Sequence, residues 1–97
     1  MKINAVQARL ELEHGAVLLD VRTPAEYGEG HIPKAVNLPV DRISEVERLV
    51  PDRQQTVIVY CRSGVRSAVA AATMEALGWA HVLDLGGIYE WDGALER

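Results

Sequence analysis

The chain holds one cysteine, Cys61, in the stretch YCRSGVRSA (Tyr60–Ala68), with Arg62, Gly64 and Arg66 close behind it. A thiol attacks other atoms as its thiolate, so these neighbours matter for what they do to its ionisation. Gly64 lets the backbone bend tightly, so that successive amides can converge on one atom. Two guanidinium groups and the positive end of a following helix favour a negative sulfur over a neutral one. Arg62, Ser63, Gly64, Val65, Arg66 and Ser67 then form an anion-binding cradle around a nucleophilic Cys61, which titrates below the ~8.5 of a free cysteine. The competing reading is a buried and inert packing residue, the commoner fate of a lone free cysteine.

Placement decides between the two. The run before Cys61, TVIVY (Thr56–Tyr60), is continuously apolar, which predicts a strand covered on both faces. The segment after it, SAVAAATMEAL (Ser67–Leu77), has helical character and stops at Gly78. Open α/β sheets bind ligands outside the carboxyl ends of their strands, and the cysteine loop falls at such a turn. Shorter strands are predicted over Ala16–Val21, Ala35–Leu38 and His81–Leu85. Asn4 caps a helix that runs to about His14, with Gly15 as its stop. Thr23–Glu26 (TPAE) is a capping box with proline at the first helical position. Arg42–Val50 reads as a helix stopped by Pro51. Alternation of this kind predicts a parallel sheet with helices on both faces.

Composition narrows the function. The 97 residues are 48% apolar and 25% charged, which fits one globular domain spanning residues 1–97. A net charge of -4 argues against non-specific nucleic-acid or anionic-membrane partners. One cysteine makes neither an internal disulfide nor a Cys-rich zinc site, and His14, His31 and His81 lie far apart, so no metal or cofactor is expected. The N-terminus has no apolar core of a secretory signal, and no apolar run approaches the ~18 residues of a membrane span. A cytoplasmic location is the expectation.

Three blocks then carry a resemblance: LLDVRTPAEYGEGHIPKAVNLP (Leu18–Pro39), VIVYCRSGVRSAVAAATMEALGW (Val57–Trp79) and LDLGGIYEWDGAL (Leu83–Leu95). In this order, over nearly the whole chain, they resemble the single-domain rhodanese-like sulfurtransferases. The resemblance implies a three-layer α/β/α domain around a central five-stranded parallel sheet, with the active cysteine opening the loop after the fourth strand. That position is Cys61. It further implies that Cys61 takes a sulfane sulfur from thiosulfate or another persulfide donor, becomes a persulfide, and passes the sulfur to cyanide, a thiol or a protein acceptor.

The residues suit that chemistry on their own. A thiolate attacking thiosulfate expels sulfite, a good leaving group, so no general acid is needed and none is evident near the loop. Inward amides hold the anionic persulfide, while Arg62 and Arg66 attract an anionic donor. Two covalent steps predict ping-pong kinetics. A persulfide carrier with little thiosulfate turnover would need the same cradle. A cysteine phosphatase is disfavoured: it needs an acid for its leaving group, and those of this fold place one more residue between Cys and Arg than the four that separate Cys61 from Arg66. An inactive regulatory domain of this type is disfavoured by Cys61 itself, because inactive relatives usually lack the cysteine.

Asp20 and Arg22 end the LLDVR strand at the same sheet edge. They either shape the site rim or form a buried structural pair together with Glu26, and the structural reading is preferred. His31 reads as part of a structural turn, as implied by the resemblance. Lys34 stands where many relatives have glycine, which alters a surface turn. Gly86 and Gly87 allow close backbone approach after the last strand. Trp91 reads as a packing residue at the flank of the site mouth. The alanines of the helix after the loop permit close packing on the sheet.

Overall fold

A computed structural model describes residues 1–97. In chain order it contains α1 (Ala5–Glu13), β1 (Val17–Asp20), α2 (Pro24–Glu29), β2 (Val36–Asn37), a 3-10 segment (Val40–Arg48), β3 (Val57–Cys61), α3 (Val65–Ala76), β4 (Val82–Gly87) and a 3-10 turn (Ile88–Glu90). The strands are parallel, in the order β2-β1-β3-β4. β3 is therefore flanked on both sides, and none of its five residues is more than 1% exposed. Its continuous apolarity reflects that double cover, as the sequence predicts.

Side chains of β3 alternate between two packed layers. Val57, Val59 and Cys61 join Leu19, Val21, Ile43 and Val46 beneath Ala70, Ala71 and Met74 of α3. Ile58 and Tyr60 join Leu18, Leu83 and Leu85 on the other face, with Ala8 of α1, Ile32 and Ala35. Small alanines let α3 lie close to the sheet, and that closeness brings its first turn over the end of β3. No helix is long and apolar enough to cross a membrane.

The sheet has four strands, not the five expected. Residues 1–3 do run beside β4, with the Ile3 amide donating to the Asp84 carbonyl at 2.9 Å and the Asp84 amide to the Met1 carbonyl at 2.8 Å. That contact stops at one bridge, Lys2 with Asp84, because Asn4 immediately caps α1 through a reciprocal capping box with Gln7. The extended run is too short to count as a strand. The segment expected as a helix over Arg42–Val50 is instead a 3-10 segment with a break at Arg42 (φ -114°, ψ 16°). α3 begins at Val65, two residues before the expected start, because Gly64 turns the chain in the left-handed region (φ 97°). The TPAE box forms as predicted, with the Thr23 hydroxyl accepting from the Glu26 amide.

A buried polar cluster ties the carboxyl edge of the sheet together. Asp20 is fully buried and Arg22 is 6% exposed. The Arg22 guanidinium donates to Asp20 Oδ2 at 2.6 Å and to the Gly30 carbonyl at 2.7 Å. The Tyr60 hydroxyl donates to Asp20 Oδ2 at 2.8 Å and accepts from the Ile32 amide at 3.1 Å. Burial, and then the adjacent Asp20 charge, push the Tyr60 phenol well above its ordinary range, so it stays a neutral donor. β1, β3 and the turn at residues 30–32 thus share one carboxylate. Asp20→Ala should strand the Arg22 charge and cost about 3–5 kcal/mol. Tyr60→Phe should cost about 1–3 kcal/mol. Urea unfolding midpoints of the two variants check this ranking.

Candidate active site

Cys61 is the last residue of β3, and its side chain points to the α3 face. The Gly64 amide donates to Cys61 Sγ at 2.9 Å. Ser67, fully buried on the first turn of α3, donates its hydroxyl to the Gly64 carbonyl at 3.2 Å. Burial is the largest single influence on Cys61 and works against ionisation. The Ser67 hydroxyl and the amides of Ser67, Gly64 and Ser63 outweigh it together, so the thiol is held below its ordinary value. Cys61 is thus a core residue at 1% exposure whose sulfur accepts a hydrogen bond from the Gly64 amide.

The other loop residues divide sharply. Arg62 and Ser63 are exposed, and Val65 is 70% exposed. Arg62 forms no ion pair. Arg66 is held by Glu26 of α2 in a two-pronged pair, Nη1–Oε1 at 2.7 Å and Nη2–Oε2 at 3.0 Å. Glu26 Oε1 also accepts from the Thr23 amide at 3.0 Å and the Thr23 hydroxyl at 3.1 Å. Arg66, chiefly, lowers the Glu26 carboxyl from its ordinary 4.5 to about 2, with help from Thr23. Asp20 and Arg22 do pair as expected, but Glu26 does not join them. The sequence reading missed its partnership with Arg66, since the two are 40 residues apart. The available signal was geometric: α2 and α3 both start at the carboxyl edge of the sheet.

β4 closes the loop from the other side. A Cβ on Gly64 would sit 3.7 Å from Gly86 Cα, and one on Gly87 would sit 2.7 Å from the Arg62 carbonyl and 2.1 Å from the Tyr89 ring. Trp91 does not reach the loop. It packs toward α1 beside Leu12, with the Arg9 guanidinium 4.1 Å above its ring. Tyr89, 71% exposed, packs on Gly87 beside the loop backbone. His31 is structural: its ring stacks on Tyr27 at 3.8 Å, and its Nδ1 lies 3.0 Å from the Tyr27 carbonyl. Lys34 adopts φ 74°, a conformation that favours glycine. The surface cavities lie elsewhere, and none is lined by a residue of the cysteine loop. A ligand would meet the loop from open solvent.

Comparison with known proteins places this arrangement. The profile of the rhodanese-like domain matches residues 4–94. The chain belongs to the rhodanese-like domain family. A sulfurtransferase of Allochromatium vinosum is 40% identical to it over 88 residues, which are 90% of this chain and 81% of that protein. The thiosulfate sulfurtransferase PspE of Escherichia coli is 37% identical over 71 residues, 72% of this chain and 68% of the relative. A solved rhodanese with anions from E. coli superposes with a TM-score of 0.81 at 30% identity, over 86% of this chain and 99% of its own. In this rhodanese-like domain the turn after β3 is the Cys61 loop, and the α/β frame is that of the family.

Two outcomes follow for the site. Gly87→Ala should displace the loop, because the Arg62 carbonyl is backbone and cannot swing aside. The variant should change the rate of Cys61 alkylation by iodoacetamide, and adding Tyr89→Ala should not restore it. The Glu26 carboxyl has a lower pKa in the folded chain than in the unfolded one. Its ion pair therefore stabilises the fold above pH ~4.5, and that contribution is lost as pH falls toward ~2. Glu26→Gln should flatten the acid limb of a stability-against-pH curve in that window.

Proposed function

We propose that this domain is a sulfurtransferase that carries a sulfane sulfur as a persulfide on Cys61, taken from thiosulfate or a related anionic donor. The observation that carries the reading is the Gly64 amide aimed at Cys61 Sγ at 2.9 Å, at the head of α3. Oriented amides at a helix start stabilise a negative sulfur before and after transfer. The names of the relatives, and the anions named with the E. coli neighbour, support the same reading.

The chemistry balances without a proton. The Cys61 thiolate attacks the outer sulfur of thiosulfate and forms a new S–S bond. The original S–S bond breaks, and sulfite leaves with its electron pair. A thiolate or cyanide then attacks the outer sulfur of the persulfide, and the Cys61 thiolate departs into the same amides. Ser63, Gly64, Val65 and Ser67 shape the loop, Arg62 attracts the donor, and Asp20 with Arg22 supports β1 beneath it. Phosphatase chemistry lacks its acid: Asp20 is taken by Arg22 and Tyr60, and Glu26 is held ionised by Arg66. A lone thiol with this task suits a reducing compartment such as the cytoplasm.

Intact mass after thiosulfate treatment should show one added sulfur, absent from Cys61→Ser. Thiocyanate formation from thiosulfate and cyanide should fall to background in Cys61→Ser, with the unfolding midpoint little changed. Near-normal turnover in that variant would overturn the assignment. A Cys61 persulfide with negligible thiocyanate formation would mark a carrier instead of an enzyme. Arg62→Ala should raise the thiosulfate KM by roughly two- to fivefold, the scale of one exposed charge.

A further inference from the structure

Of the two arginines in the loop region, one is exposed without an ion pair and the other is held by a carboxylate. Arg66 spends two of its N–H donors on Glu26, at 2.7 and 3.0 Å. The carboxylate is itself fixed, because the Thr23 amide and hydroxyl both donate to its Oε1. Glu26 therefore serves two structures at once: it completes the cap of α2 and it clamps the first turn of α3. Arg66 stands on the first turn of α3, two residues beyond the Gly64 whose amide donates to Cys61 Sγ, and Glu26 accompanies it as a fixed counter-charge.

Charged groups on the flanking segments have polar partners of their own. Asp20 and Arg22 on β1 neutralise each other. On the β4 side, Asp84 accepts from the Gly86 amide, while Lys2 donates to the Leu85 carbonyl and pairs with Glu90. Only Arg62 adds an uncompensated charge to the loop.

We propose that Glu26 is a positioning residue that holds Arg66 beside Cys61 and offsets its charge, so that the loop offers a donor one net positive charge instead of two. This rests on the reading of Cys61 as the sulfur-bearing nucleophile. A loop with two free guanidinium groups would favour dianionic donors such as thiosulfate over singly charged ones. Offsetting one of them narrows that preference and leaves room for monoanionic sulfane donors, including organic persulfides.

Glu26→Gln tests this, because glutamine also completes a capping box and keeps an acceptor for Arg66 while losing the charge. Three readouts serve: the pH midpoint of Cys61 alkylation by iodoacetamide, and KM for thiosulfate and for singly charged methanethiosulfonate. The midpoint should move to lower pH. The thiosulfate KM should fall by roughly two- to fivefold, with a smaller fall for methanethiosulfonate. Added salt should raise the thiosulfate KM more steeply in the variant than in the wild type. An unmoved alkylation midpoint, or a KM that rises for both donors, would overturn the charge offset. Alkylation needs no sulfur donor, so a shifted midpoint with no persulfide formed from either thiosulfate or methanethiosulfonate would support the offset while refuting sulfur transfer.

Discussion

A thiol almost wholly out of contact with water can ionise only if the protein takes over its solvation. This constraint organises the carboxyl edge of the sheet. Burial alone would keep Cys61 a neutral thiol, and the opposing donors come from a loop only a few residues long. They converge because Gly64 takes a left-handed turn three residues past the end of β3 and α3 starts at the next residue. The amides are held in place before any charge arrives, so little reorganisation accompanies ionisation. A longer loop would carry the same amides outward and leave a wider ring.

What holds the loop is mostly remote from it. The Asp20 carboxylate locks β1 to β3 through Arg22 and Tyr60, and Tyr60 precedes Cys61 in the chain. The two glycines at the end of β4 let the last strand press against the loop backbone. The Glu26–Arg66 pair ties α2 to α3 above it. Three separate contacts, one from each direction, therefore bear on a single turn.

Local signals were legible in the sequence and pairings between distant segments were not. Continuous apolarity marked β3 because burial on both faces leaves no polar position, and the TPAE box marked α2 because its bonds close within one turn. The first three residues misled in the other direction: they lie against β4, yet the capping of α1 by Asn4 cuts them short of a strand. The 3-10 form of Val40–Arg48 was hidden because its apolar spacing suits an α-helix as well. At the site, the cysteine loop could be read from spacing alone. The partner of Arg66 could not, since nothing in a capping glutamate announces that its free oxygen will face another helix. The exchange of Trp91 for Tyr89 beside the loop has a similar cause, for the turn at Ile88–Glu90 decides which aromatic ring points where.

On one side of the sheet the outermost strand, β2, has two residues; on the other, residues 1–3 lie along β4 and occupy its outward amide and carbonyl at Asp84. A parallel sheet with long open borders invites strands from other molecules to add on. Here neither border offers a run long enough to template such growth. Residues 1–3, which fall short of a fifth strand, thereby take up the Asp84 amide and carbonyl that an added strand would need.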